Sequence, residues 1–237
     1  MRFLKEVRLR LRHALWVPVL VFVVLAWTTN VSTRLQREDT VAIKLILGVQ
    51  QKPPIQSFDD EIRVIRWAQA QTLKAAPGME GIAEYSDREP MDLLKAQSGL
   101  CYDRSRTLDK MLKWLGFETR HVYILFADKG DSTNVAQFVQ HALSHSQSHA
   151  ITEVKTGRGW LHVDSNTNWI SLNREGQPVP AGQVHERRAE FDRPPEWVEF
   201  PFWAIRGMYS RKGQLYRPFV FFPEFNWPDF LSWVFTG

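Results

Sequence analysis

Gly99-Leu100-Cys101-Tyr102-Asp103-Arg104-Ser105 carries the single cysteine of a 237-residue chain, and the reading of this stretch decides the fold. Leu108, Met111, Leu112 and Leu115 follow at i, i+3, i+4 and i+7, the spacing of one apolar helix face. Gly116 supplies a C-terminal stop. Cys101 therefore opens an amphipathic helix. A thiol attacks as its thiolate, and a helix N-terminus favours negative charge. A cysteine taken alone is more often a buried structural thiol, so a nucleophile needs a base and an orienting group from elsewhere in the chain.

Working outward, residues 118–126 (ETRHVYILF) are rich in β-branched and aromatic side chains and predict a strand. A polar loop and a candidate helix at 135–146 separate it from two short apolar runs, 150–154 and 160–163. These flank Gly157 and Gly159 and read as a β-hairpin. His149 opens the first hairpin strand and Asp164 closes the second, and antiparallel pairing brings those outer ends together. The roles follow: Cys101 attacks a carbonyl, His149 takes the thiol proton and later protonates the leaving group, and Asp164 holds the imidazole. The Cys101 backbone N–H is one oxyanion donor, with Gln97 a candidate second. Tyr102 and Asn166 are further oxyanion or substrate candidates, and Asn166 or Asn168 could orient the histidine in place of Asp164. His162 is expected at the surface, and Arg120 is expected to pair with a carboxylate inside the fold. His141, His145 and His149 could line one helix face and hold zinc, but residues 146–148 read as a helix end and no acidic residue completes such a site. Neither a metal nor a cofactor is expected.

Upstream, residues 14–29 (ALWVPVLVFVVLAWTT) carry no charge. As a helix they reach ~24 Å against a hydrocarbon core of ~30 Å; Asn30, Val31 and a snorkelling Arg12 complete the span. Arg2, Lys5, Arg8, Arg10 and Arg12 precede it, and this cluster, set against Glu6, accounts for the whole net charge of +4. A basic nucleic-acid face is therefore not expected. The cations place the N-terminus in the cytoplasm and the domain outside, periplasmic or extracellular. No A-x-A-like site follows Trp27, which favours an uncleaved signal anchor over a cleaved signal. A lone cysteine in an exported domain has no intramolecular disulfide to make, which favours a working thiol.

Residues 31–56 read as a stalk, in which 41–49 could be a short helix or strand. Ser57-Phe58-Asp59-Asp60 reads as a helix cap, with the helix running to about Ala76. Residues 79–90 read as a loop, and 91–96 as a helical turn before the cysteine. After Phe191 the composition turns to proline and aromatics. An extended tail packing its rings on the domain is one reading of 193–237; Phe230, Trp233 and Phe235 entering a membrane interface is the other. The organisation expected is an anchor at 1–30, a stalk at 31–56, a domain at 57–192 and an extension at 193–237.

Gly99-Leu100-Cys101-Tyr102-Asp103, Leu115-Gly116-Phe117 and Arg120-His121-Val122, then His149, Glu153-Val154, Gly159-Trp160 and Val163-Asp164, resemble the pattern of the transglutaminase-like superfamily over roughly residues 58–172. The resemblance implies an α+β, papain-like core in which the nucleophile helix packs on an antiparallel sheet. Together with the anchor read above, which lies outside the match, a bacterial membrane-anchored member with one preceding transmembrane helix is expected. The resemblance implies acyl transfer through a thioester, by hydrolysis or transamidation of an amide; the exported placement makes a protein or peptide amide of the cell envelope the expected substrate. Tyr102-Asp103-Arg104 is more polar than the motif of the animal cross-linking enzymes, and no EF-hand calcium loop is visible. Some superfamily members are inactive scaffolds, so a binding protein in an envelope or polysaccharide assembly is the alternative.

Overall fold

The computed structural model describes residues 16–24, 26–28, 30–82, 88–127, 134, 136–137, 147–209 and 224–236. Four helices come before the sheet: Arg37–Leu47 (α1), Phe58–Ala75 (α2), Pro90–Ala96 (α3) and Cys101–Leu115 (α4). Strands Thr119–Phe126 (β1), Ser148–Thr156 (β2), Gly159–Val163 (β3) and Phe202–Arg206 (β4) form one antiparallel sheet in the order β3-β2-β1-β4. A short ladder of Met208–Tyr209 (β5) with Glu224–Phe225 (β6) leads into the last helix, Trp227–Thr236 (α5). This is the α+β architecture the sequence leads one to expect.

Local chemistry sets the helix ends. Ser57 Oγ accepts from the Asp60 backbone N–H at 3.2 Å, and Asp60 returns the bond to Ser57 N–H at 3.1 Å, so α2 starts on a reciprocal cap. At α4, Asp103 accepts from the Leu100 N–H at 3.0 Å. Gly99 has no room for a side chain: a Cβ there would stand 2.7 Å from Leu93 and 3.1 Å from the Asp103 Cβ. The close approach of α3 to the start of α4 therefore demands glycine just before the cysteine. Gly116 ends α4 at φ +108°, a backbone that other residues rarely adopt.

The apolar side of α4 (Leu108, Met111, Leu112, Leu115) joins Ile43, Ile65, Val154, Leu161 and Val163 in the main core between helices and sheet. Its polar side is buried as well. Arg106 bonds Glu89, and Lys110 Nζ bonds both Glu89 and, at 2.7 Å, Asp39 of α1. Charges enclosed in this way are tolerated only when paired. Burial opposes the ionised Glu89 carboxyl, but the two cations outweigh it and hold the group below its ordinary range.

Three expectations need correction. Residues 31–56 are not a stalk: α1 sends Ile43, Ile46 and Leu47 into the main core, because the run at 41–49 folds as a helix with one apolar face. Nor is 193–237 an extension laid outside the domain, since β4 pairs with β1 from Val122↔Arg206 to Phe126↔Phe202 and completes the sheet. His162 lies on the sheet face opposite Leu161, as alternation predicts, but it is fully buried. Trp169 and Trp197 cover it, and Ala181 packs on Val122, Ile124 and Ile151 of the same face. At the N-terminus, residues 16–24 and 26–28 are helical; among the described residues no helix is long and apolar enough to cross a membrane. The expected helix at 135–146 lies almost wholly outside the described residues.

Candidate active site

Cys101 is the first residue of α4, half-buried, with its thiol free. His149 stands opposite Ile124 near the start of β2, and Asp164 follows directly on β3. The hairpin turn at 157–158 folds the two strands back on each other, so the ends of β2 and β3 meet as expected. His149 Nε2 lies 3.3 Å from Asp164 Oδ2, and Cys101 is near enough to the same imidazole to help favour its charged form. With Nε2 turned to the carboxylate, Nδ1 is the nitrogen left for the thiol.

The electrostatics are those of an ion-paired histidine. Burial works against a charged imidazole here, but the hydrogen bonds to Asp164 and then Cys101, with their charges, outweigh it and push His149 up to about 10. Burial likewise opposes the Asp164 carboxylate, and the hydrogen bond and charge of His149 overcome it and hold the group well below the usual carboxylate range. Asp164 is further fixed by the backbone N–H groups of Asn166 (2.7 Å) and Thr167 (2.8 Å), both given to Oδ1. Its Oδ2 takes a second donor, Trp197 Nε1, at 3.0 Å.

The remaining sequence candidates take varied places. Asn166 Oδ1 accepts from Arg104 Nη1 at 3.0 Å, so its side chain is tied to α4 rather than to the imidazole. Tyr102 lies under the Arg88 guanidinium, 4.8 Å from ring to charge, and burial pushes its phenol up to about 12. Gln97 caps α3 in the left-handed backbone region with its side chain exposed. Asn168 is exposed. Arg120 bonds Glu153 at 2.6 Å, the carboxylate pairing its context called for. His141 and His145 lie outside the described residues, and His149, the third member of that run, is committed to Asp164.

Four supporting residues carry little or no sequence signal. Gln69, buried on α2, gives its amide N–H groups to the backbone carbonyls of Asp164, Thr167 and Trp169 at 2.8–2.9 Å and so pins the turn after β3. Arg104, also buried, donates to the carbonyls of Ala76 and Gly78. Burial pushes its guanidinium below the ordinary value, and Cys101 and Asp103 counteract this. Trp197 lies in the proline-aromatic stretch, where only the abundance of tryptophan stood out. The fourth is His162, stacked on Trp197 at 5.2 Å and edge-on to Trp169 at 5.2 Å, with neither ring nitrogen hydrogen-bonded.

His162 has a pH signature. Burial pushes it down to about 3, against 6.5 when unfolded. The unfolded chain therefore binds a proton below pH 6.5 that the native chain refuses. Stability falls on acidification between those values by roughly 1.4 kcal/mol per pH unit for this group. His162→Phe keeps the ring stack and removes the proton site. Thermal unfolding at pH 7 is expected to change little, and the drop in Tm between pH 7 and pH 4.5 is expected to shrink.

Fold and site together define a class: an α+β domain in which a cysteine at a helix N-terminus meets a histidine–aspartate pair on an antiparallel hairpin. Residues 63–165, which span most of α2, α4 and the hairpin, match the family model of the transglutaminase-like superfamily. A search of curated proteins finds no match to the chain.

Proposed function

We propose that the chain is a cysteine-dependent acyl-transfer enzyme, held in the inner membrane by its N-terminal segment, with its domain outside the cytoplasm and an amide of the cell envelope as substrate. The observation that carries the chemistry is the His149 ring, paired with Asp164 at 3.3 Å beside Cys101 at the N-terminus of α4. In the reaction Cys101 Sγ attacks the amide carbonyl carbon, and its own backbone N–H at the start of α4 receives the developing oxyanion. The C–N bond breaks as His149 gives its proton to the leaving amine, and a thioester remains. Water or a second amine then attacks the thioester, His149 takes the incoming proton, and the thiol is released. Asp164 holds the ring in place and stabilises its charge throughout. The anchor reading is supported by the charge-free stretch at 14–29 and the five cations before it.

A simple aryl ester tests the chemistry without knowledge of the natural substrate. Detergent-solubilised full chain mixed with p-nitrophenyl acetate is expected to release a stoichiometric burst of nitrophenol, and mass spectrometry should place one acetyl group on Cys101. Cys101→Ala should abolish both while leaving Tm nearly unchanged. An intact burst in Cys101→Ala, or no acylation of the native chain, overturns the catalytic reading in favour of a binding scaffold.

A further inference from the structure

We propose that α5 lies in the lipid–water interface and gives the domain a second contact with the bilayer, next to the N-terminal helical segment. The inference rests on the membrane anchoring proposed above. The two elements are tied together where the segment ends. Val31 N–H donates to the Phe225 carbonyl at 2.8 Å, Asn226 Nδ2 donates to the Val31 carbonyl at 3.0 Å, and Trp227 N–H donates to Asn30 Oδ1 at 3.3 Å. The Phe22 ring meets the Trp227 ring edge-on at 5.4 Å. Wherever residues 16–28 lie, the start of α5 lies beside them.

The outward side of the helix is apolar apart from Ser232. Phe230 and Trp233 turn inward against the cluster of Tyr123, Leu125, Ile205 and Met208. Leu231, Val234 and Phe235 turn outward, Phe235 with 80% of its surface free. The only charge is Asp229, half-buried. A helix on the surface of a water-soluble domain carries polar residues on its outer face; here that face is apolar apart from Ser232, and the neighbouring segment exposes Val19, Phe22, Val23 and Trp27 as well. An apolar surface of this kind needs a cover. A bilayer suits it better than a protein partner does. The neighbouring segment has the composition of a lipid-facing stretch, the aromatic content of α5 fits the headgroup region, and no charge on the outer face would specify a partner.

The test uses the full chain in phosphatidylcholine–phosphatidylglycerol vesicles. Cys101→Ser removes the only cysteine, so a nitroxide can be placed alone at Leu231→Cys or Phe235→Cys. Val21→Cys reports on the helical segment, and Arg174→Cys, on an exposed side chain, serves as the water reference. Collision with oxygen against a nickel chelate reads depth. The expected result is several-fold greater oxygen preference at positions 231 and 235 than at 174, as at position 21. Lipid-like behaviour at 21 with water-like behaviour at 231 and 235 overturns this proposal and leaves the anchor standing. The reverse pattern supports the contact made by α5 and refutes the anchor. Water-like behaviour at all three refutes both. Shielding of 231 and 235 from both reagents, in a chain that light scattering shows to be dimeric, assigns the face to a second copy and overturns the proposal.

Discussion

Asp164→Asn is expected to slow acylation of Cys101 by roughly 10²–10⁴-fold, the range associated with a positioned acid–base group, while the fold persists. The carboxylate is what keeps a buried imidazole charged. Of the influences on His149, burial is the largest and opposes the charge, and Asp164 provides the strongest opposing pull. Without it only Cys101 opposes burial, and the ring is expected to fall from about 10. The sign of the stability change follows. A group whose folded value lies above its unfolded one stabilises the native state fully below pH 6.5, and that contribution fades as pH rises from 6.5 through about 10. The wild type should therefore lose stability over this alkaline range, and Asp164→Asn should lose less. Ring carbon shifts of His149 followed by NMR, alongside the nitrophenol burst, measure both effects. An unchanged His149 titration in the variant would show that Asp164 does not set its charge.

Lys110→Met should cost about 3–5 kcal/mol, the typical penalty for removing one partner of a buried ion pair. Glu89 keeps Arg106, but Asp39 loses the only cation that meets it among the described residues and keeps the bond from the Gln36 N–H at 2.8 Å. For a domain of this size the shift is about 10 °C in Tm. The double variant Asp39→Leu with Lys110→Met should recover most of the loss, because it removes the stranded charge rather than creating one. Thermal unfolding of the four combinations measures the coupling, and additive losses would contradict it.

The features legible in the sequence are those encoded locally. The α2 cap is written in four consecutive residues, α4 in one apolar spacing, and the hairpin in two runs around glycines. The meeting of His149 with Asp164 follows from antiparallel geometry alone. The features that were missed depend on partners far away in the chain. Nothing near Asp39 announces Lys110, so a helix that packs in the core read as a stalk. The residues of β4 look like a continuation of an aromatic tail until β1 is known to have an open edge. His162 was assigned outward because alternation gives the face of a strand but not what covers that face; Trp169 and Trp197 cover it here. Gln69 is a polar residue on a helix, and only the fold shows that it grips the turn beside Asp164.

The burial of α1 has a consequence for reach. A flexible stalk of the length of 31–56 would let the domain wander by roughly 28 Å. The structure leaves no such slack, because Asn30 and Val31 are fastened to Phe225 and Asn226, and six residues later α1 is locked to the nucleophile helix through Asp39 and Lys110. Whatever holds the start of the chain thereby fixes the height and tilt of the thiol; if the proposed function holds, substrate must be delivered to it.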